Sequence, residues 1–229
     1  MSDEVRELFG SIAKRYDVLN HLFSLSLDRL WRRQAVKTLS SEDEIKVLDL
    51  CAGTLDMTIE LLKHNPFASV TAVDFSEPML DKGRRKLSST AKQQVQIICS
   101  DCLKIPLPDQ SFDVVMCAYG VRNLDDPVKG VREMARLLKK GGYLVVLDFF
   151  RPEAFITKLF YQSYARFAIP LVGKLISRHK NAYRHLRDSI LAFFTMNDFK
   201  RLLKQNGFAD IAGQDQSFGI SGLVTAKKI

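Results

Sequence analysis

The sequence has no window approaching 18 uninterrupted apolar residues, which excludes a membrane-spanning helix. Its N-terminus, MSDEVRELFG, is acidic where a secretory signal is basic and then apolar, so the expected location is cytoplasmic. Ligand-type residues are scarce, with four histidines and four cysteines in 229 residues. Cys51, Cys99, Cys102 and Cys117 lie in or beside apolar, strand-like stretches, where reduced, buried thiols are expected. Cys99 and Cys102 form a C-x-x-C, but no second Cys or His pair stands at ligand spacing, so no metal is expected. Glycine is short in one telling place: VLDLCAGTLDMTIELL runs a strand into a helix through a turn with only Gly53. A pyrophosphate-binding loop needs several glycines so that backbone amides can close on the anion.

The sequence is rich in alternation. IKVLDL, SVTAVDF, VQIICSD, FDVVMCAYG and GYLVVLDFF read as strands. Between them lie helical patterns: DMTIELLKHN, SEPMLDKGRRKLSS with Ser76 as N-cap, and DDPVKGVREMARLLKK ended by Gly141. Residues 3–39 read as helical with a break near Asn20 to Ser26, and Trp31 as a core anchor. Residues 153–192 read as amphipathic helix interrupted at Pro170 and Gly173, and TMNDFKRLLKQNGF as a helix closed by Gly207. The tail ADIAGQDQSFGISGLVTAKK has no room for a crossover helix, so its halves must pair as an antiparallel hairpin. The expectation is one α/β domain over 1–229, with a helical N-terminal lid (1–40) and a helical insertion (153–192).

The net charge of +8 is concentrated: between Arg151 and Ile190 eight Lys/Arg face only Glu153 and Asp188. Interleaved with Phe155, Phe160, Tyr161, Tyr164, Phe167 and Tyr183, this stretch suits an anionic membrane surface better than a nucleic acid. No NPPY-like tetrad for clamping a flipped base follows the fourth strand.

In open α/β sheets the ligand sits at the carboxyl ends of the strands, and the first βα loop forms the floor. About 20 residues beyond that loop, Asp74 ends the second strand, where an acid can accept both ribose hydroxyls. Asp101 ends the third strand, placed to meet an exocyclic amine such as that of adenine. Phe75, Met79 and Cys102 are suited to sandwich the ring, and Asp49 and Asp56 to take up an ammonium group. The competing reading of a lone strand-end Asp is a loop cap. Acids at successive strand ends around a glycine-poor loop point to a positively charged nucleoside without phosphates, namely S-adenosylmethionine (SAM). The terminal hairpin favours the methyltransferase form of the sheet over the dehydrogenase form.

With those residues in view, the chain resembles class I SAM-dependent methyltransferases, and more narrowly the ubiquinone/menaquinone biosynthesis C-methyltransferase family, which includes the demethylmenaquinone methyltransferases. LFGSIAKRYDVLNHLFSLSLDRLWRR, LDLCAGTLD, YGVRNLDDP and AYRHLRDSI carry the resemblance. It implies a Rossmann-like seven-stranded sheet with an antiparallel C-terminal hairpin, and C-methylation of a polyprenylated quinol. It also implies that Thr54, Asp74, Asp101 and Cys102 contact the cofactor, with Cys51, Gly53 and Ala118 beside them, while Arg122 and Asn123 face the substrate. Three departures stand out: Leu55 for the glycine usual in GGTGD, Ala118 for a small hydroxyl residue, and Leu27 for a glycine before RLW. Leu55 is expected to narrow the methionine channel.

Carbon methylation of a quinol requires an electron-rich ring, reached when one hydroxyl gives up its proton. Positioning and water exclusion supply most of the catalysis, with a base and a cation near the phenolate supplying the rest. Arg122 is the candidate oxyanion stabiliser, with Asp125 or Asp126 as its structural alternative partners, and Asn123 is suited to bond the second ring oxygen. Tyr16 and Asp17 are candidates for a lid over the site. Tyr183 and His185 are candidate proton handlers, with a surface helix position the preferred reading of His185. Another lipid or phenolic acceptor, or a nucleoside-binding subunit without activity, would use the same loop. Monomer and homodimer stay open.

Overall fold

The computed structural model describes residues 10, 13, 16–153 and 180–229. Among the described residues, helices α1 (Tyr16–Phe23) and α2 (Leu27–Val36) precede the first strand. Strands β1 (Lys46–Leu50), β2 (Ser69–Asp74), β3 (Val95–Cys99), β4 (Phe112–Ala118) and β5 (Leu138–Asp148) then alternate with helices. These are α3 (Asp56–His64), α4 (Glu77–Lys86), α5 (Ser89–Gln94) and α6 (Pro127–Leu137). Helices α7 (Lys180–Ala192) and α8 (Met196–Gln205) and strands β6 (Phe208–Gln216) and β7 (Ser221–Lys228) complete the described chain. Most of the insertion, residues 154–179, and with it the expected membrane-facing stretch, lies outside the described residues.

The sheet runs β3-β2-β1-β4-β5-β7-β6. Its first five strands are parallel, and β7 is antiparallel to both β5 and β6, as the short tail requires. Strands covered by helices on both faces must be apolar on both, and β1 is buried from Val47 to Leu50. Its alternate side chains serve two cores. Leu48 and Leu50 pack with Val131 and Met134 of α6 and Phe199 and Leu203 of α8. Val47 packs on the other face with Trp31 and Ala35 of α2 and Met57 and Leu61 of α3. Trp31 is fully buried, and its indole N–H donates to Ser217 Oγ at 2.9 Å, which ties the N-terminal helices to the β6–β7 turn. The order reverses between β1 and β4, so the crevice at their carboxyl ends is the topological switch point.

Three local expectations are corrected. Helix α6 ends at Leu137, not at Gly141, because Leu138 is extended and buried against the sheet and Lys139 pairs with Asp113 at 2.6 Å. Gly141 (φ +73°) instead turns the chain within the start of β5. Ser76 occupies the N-cap position of α4 but makes no side-chain cap; its amide donates to Asp74 Oδ1 at 2.9 Å and its buried Oγ has no partner among the described residues. Cys99 is exposed, because it ends the edge strand β3.

Candidate active site

The loop after β1 is wound through the left-handed region at alternate residues: Cys51 (φ +57°), Gly53 (φ +53°) and Leu55 (φ +64°). At a non-glycine residue that conformation costs about 1–2 kcal/mol, so packing must compensate at Cys51 and Leu55. It does so with glycines supplied from elsewhere. A Cβ on Gly83 of α4 would fall 2.5 Å from Leu55 Cγ, and one on Gly120 would fall 2.3 Å from Cys51 Cβ. Leu55 is thus fully buried with Ala52, Ala72, Leu80 and Leu87 between α4 and the sheet, and it lines neither pocket of the crevice. The side chain expected to narrow the methionine channel points into the core instead.

Two acids expected at strand ends flank this loop. Asp49 is 1% exposed; Thr58 Oγ1 donates to it at 2.5 Å, yet burial lifts its carboxyl to about 7. Asp74 bridges loop and strand by accepting the amides of Gly53 and Ser76, each at 2.9 Å, and burial still lifts it to about 6. Neither forms an ion pair among the described residues. The other two acids are differently placed. Asp56 pairs with Lys86 and lies 3.8 Å from Arg32, so its charge is already met by protein cations. Asp101 is exposed, accepts the Leu103 amide at 2.9 Å in the manner of a loop cap, and does not line the crevice. Cys102 is buried in the core beneath, not beside the crevice.

Two adjoining pockets occupy the crevice, each with room for only about 30 Å³, one water's worth. The first is lined by Tyr16, Asp74, Phe75, Met79, Tyr119 and Asn123, the second by Tyr16, Arg32, Asp49, Thr54, Asp56 and Met57. Cys51, Gly53 and Ala118 belong to both. Tyr16 roofs both pockets, and burial pushes its hydroxyl up despite the Asn20 hydrogen bond and the charges of Arg122 and Arg32. The next residue straps the roof down. Asp17 accepts from Thr54 Oγ1 at 2.6 Å and pairs with Lys82 at 3.0 Å and Lys86 at 3.3 Å. Burial raises its carboxyl, but these donors outweigh it and hold Asp17 below the ordinary carboxylate value.

Beyond β4, the turn Val121–Asn123 carries the other candidates. Arg122 Nη1 donates to Asp148 Oδ1 at 2.6 Å and to the Tyr119 carbonyl at 2.7 Å, and the guanidinium lies over the Phe149 ring at 5.2 Å. Its partner is therefore Asp148 at the end of β5, not Asp125 or Asp126; Asp126 caps α6 through the Lys129 amide. Arg122 Nε is buried with no hydrogen-bond partner among the described residues. Asn123 Nδ2 donates to the same Tyr119 carbonyl at 3.0 Å, and Asn123 Oδ1 meets His185 Nε2 at 3.1 Å. His185, half buried on α7, thus touches this cluster. The Tyr183 side chain lies outside the described residues.

Sequence reasoning missed Arg32, Tyr119 and Asp148. Arg32 is 6% exposed, bonds Asp28 and lies over the Tyr119 ring at 5.4 Å. The i, i+4 spacing of Asp28 and Arg32 beside Trp31 was the available signal. Tyr119 (φ +60°) stacks on Phe149 with centroids 5.0 Å apart, and nothing short of the fold brings them together. No cluster of three or more His, Cys, Asp or Glu suited to a metal occurs among the described residues.

Comparison with known proteins gives the family and the fold. The model of the ubiE/COQ5 methyltransferase family matches residues 1–228. A Geobacter sulfurreducens protein, ubiquinone/menaquinone biosynthesis C-methyltransferase UbiE, is 40% identical over 99% of this chain and 89% of its own length. A demethylmenaquinone methyltransferase of Bacteroides fragilis is 35% identical over 99% of this chain and 93% of its own. Among solved structures, a SAM-dependent methyltransferase from Thermotoga maritima superposes with a TM-score of 0.70 at 20% identity, covering 98% of this chain and 100% of its own. One from Aquifex aeolicus reaches 0.68 at 19% identity, covering 96% and 98%. These two share the fold.

Proposed function

Because this chain belongs to the ubiE/COQ5 methyltransferase family, we propose that it methylates a ring carbon of a polyprenylated quinol in quinone biosynthesis, converting demethylmenaquinol to menaquinol. The observation that carries the reading is the pair of buried acids Asp49 and Asp74, raised to about 7 and 6 and in no ion pair among the described residues, around a loop with one glycine. That donor set fits SAM, which is cationic and carries no phosphate. SAM supplies a methyl group already activated on a sulfonium. The names of the relatives support the quinol acceptor.

Asp74 accepts the ribose hydroxyls, Phe75 and Met79 hold the adenine, and Asp49 with Thr54 faces the methionine end, where Arg32 meets the carboxylate. Tyr16 and Asp17 close over the bound donor and exclude water. Arg122, fixed by Asp148, offers its unpartnered Nε to a ring oxygen as charge develops there. Asp101 serves the adenine only if its loop turns inward from the position it holds. The charge of residues 153–192 supports docking at the anionic inner face of the cell membrane, where the isoprenoid tail stays while the head group enters.

Purified protein is given SAM and a short-tailed demethylmenaquinol in anionic vesicles, and the product is weighed. The expected product is heavier by one CH2. Binding of NAD in place of SAM, or SAM turnover with phenolic acceptors but never with the demethylquinol, overturns the assignment.

A further inference from the structure

A cavity of different shape and chemistry from the crevice pockets lies between the N-terminal helices and α3. It encloses about 1040 Å³, against about 30 Å³ for each crevice pocket. Arg29, Leu30, Arg33 and Lys37 line it from α2 and its C-cap, and Ile59 and Lys63 from α3. Arg32 and Asp56 line both this groove and the second crevice pocket, so the two cavities share a wall.

The charge of the groove is unbalanced. Three of its cations are engaged by acids: Arg32 by Asp28 and Asp56, Lys86 by Asp17 and Asp56, and Lys63 by Glu60 at 3.1 Å. Arg29, Arg33 and Lys37 are exposed and form no ion pair among the described residues. Their i, i+4 spacing sets them on one face of α2, about 6 Å from one to the next. Two guanidinium forks and an ammonium at that pitch need more oxygens than a carboxylate offers, and a phosphate supplies them.

The rim is apolar. Val18 is 65% exposed beside the lining residue Asp17, Leu25 is 81% exposed beside Ser26, and Leu30, within the lining itself, is 48% exposed. Leu25 (φ +51°) and Ser26 (φ +64°) both occupy the left-handed region, which residues other than glycine avoid. Hydrogen bonds brace that turn. The Ser26 amide donates to the His21 carbonyl at 2.6 Å, while Asp28 accepts from Ser24 Oγ at 2.6 Å and meets His21 Nδ1 at 2.9 Å. A leucine presented outward on a braced, strained turn has no use for a nucleic acid or a soluble phosphate ester, but it suits the acyl boundary of a bilayer.

We propose that this groove binds the phosphate of an anionic phospholipid headgroup, with Val18, Leu25 and Leu30 entering the lipid around it. The site is distinct from the stretch 153–192, and it rests on the reading above only in that a tailed quinol calls the protein to a bilayer. Through the shared wall of Arg32 and Asp56, the bound lipid holds that end of the crevice against the membrane.

The test is partition of the full-length protein onto vesicles of phosphatidylcholine alone, and of phosphatidylcholine mixed equally with phosphatidylglycerol, at about 0.1 M salt. A basic side chain at such a surface is worth about fivefold in binding, so Arg29→Gln/Arg33→Gln/Lys37→Gln should lose about 100-fold on the mixed vesicles. Lys92→Gln/Lys140→Gln/Lys204→Gln removes the same charge from exposed positions that do not line the groove, and should lose less than about threefold. Both variants should keep the SAM Kd within about twofold. The one native tryptophan, Trp31, is buried, so Leu25→Trp reports on the rim: its emission should shift to the blue on mixed vesicles and stay in place on phosphatidylcholine. A groove variant that partitions like wild type, or a Leu25→Trp emission that does not move, overturns the proposal and leaves membrane docking to residues 153–192. Tighter binding of glycerol phosphate or single-stranded RNA than of vesicles, through the same three cations, overturns the lipid assignment. A wild type that ignores both vesicle types overturns the membrane reading together with this proposal, while turnover of a short-tailed demethylquinol in detergent judges the quinol reading by itself.

Discussion

Lowering the pH from 8 to 6 should weaken SAM binding about 20-fold. The ligand is a cation, and the two acids that meet it are partly protonated when it is absent: Asp49 titrates at about 7 and Asp74 at about 6, both raised by burial. A bound cation favours the ionised forms and draws both values back toward 3.8. At pH 8 both are largely charged before binding, and little is lost. At pH 6 roughly one Asp49 in ten and half of the Asp74 are ionised, so the affinity falls about tenfold and twofold respectively, about 1.8 kcal/mol together. The sign follows: affinity is full above the raised values and is lost as the pH falls through them. Isothermal titration calorimetry in two buffers of different ionisation enthalpy reads both the Kd and the protons. About 1.4 protons per SAM should be released near pH 6 and almost none at pH 8. S-adenosylhomocysteine, without the sulfonium charge, should show a shallower slope. A Kd flat from pH 6 to 8 with no proton release would refute the argument that these carboxyls await a cation.

The same burial makes Asp49 costly to the fold. Its folded value lies above the unfolded 3.8, so stability is lost as pH rises from 3.8 to about 7; Asp49→Asn should gain about 2–4 kcal/mol in urea unfolding without SAM at pH 8, less at pH 5, and lose SAM binding. Leu55→Gly relieves about 1–2 kcal/mol of strain but opens a hole worth about 2–5, so unfolding midpoints should fall while the SAM Kd stays within about threefold; a tenfold tighter Kd would return Leu55 to the channel. Asp148→Ala leaves Arg122 buried without its carboxylate and should cost about 3–5 kcal/mol, again read by urea unfolding.

The sheet was legible because parallel strands need apolar residues on both faces and the tail was too short to cross over. The strand-end positions of Asp49, Gly53 and Asp74 were legible too, since the apolar runs of β1 and β2 stop there. Asp101 is hard to read because an acid that caps its own loop and one that awaits a ligand look alike in sequence. Asp148 as the partner of Arg122 depends on strands β4 and β5 lying side by side, and Tyr119 under Arg32 on α2 packing over the end of β4, which no local pattern encodes. In sequence, His185 is a candidate proton handler with a surface position preferred, because a helical period does not say which neighbour a half-buried face will meet.

The contact between Leu55 and Gly83 has a consequence for how such loops vary. Space at that crossing belongs to the pair, so one residue can be bulky only while its opposite has no side chain. Gly83→Ala alone drives a methyl into Leu55, whereas the same exchange beside Leu55→Gly keeps only the tighter contact with the Thr54 backbone carbon at 3.1 Å. The two substitutions together should therefore cost less than the sum of their separate effects, and a chain crossing from a glycine-rich loop to this one must adjust helix α4 in step with it.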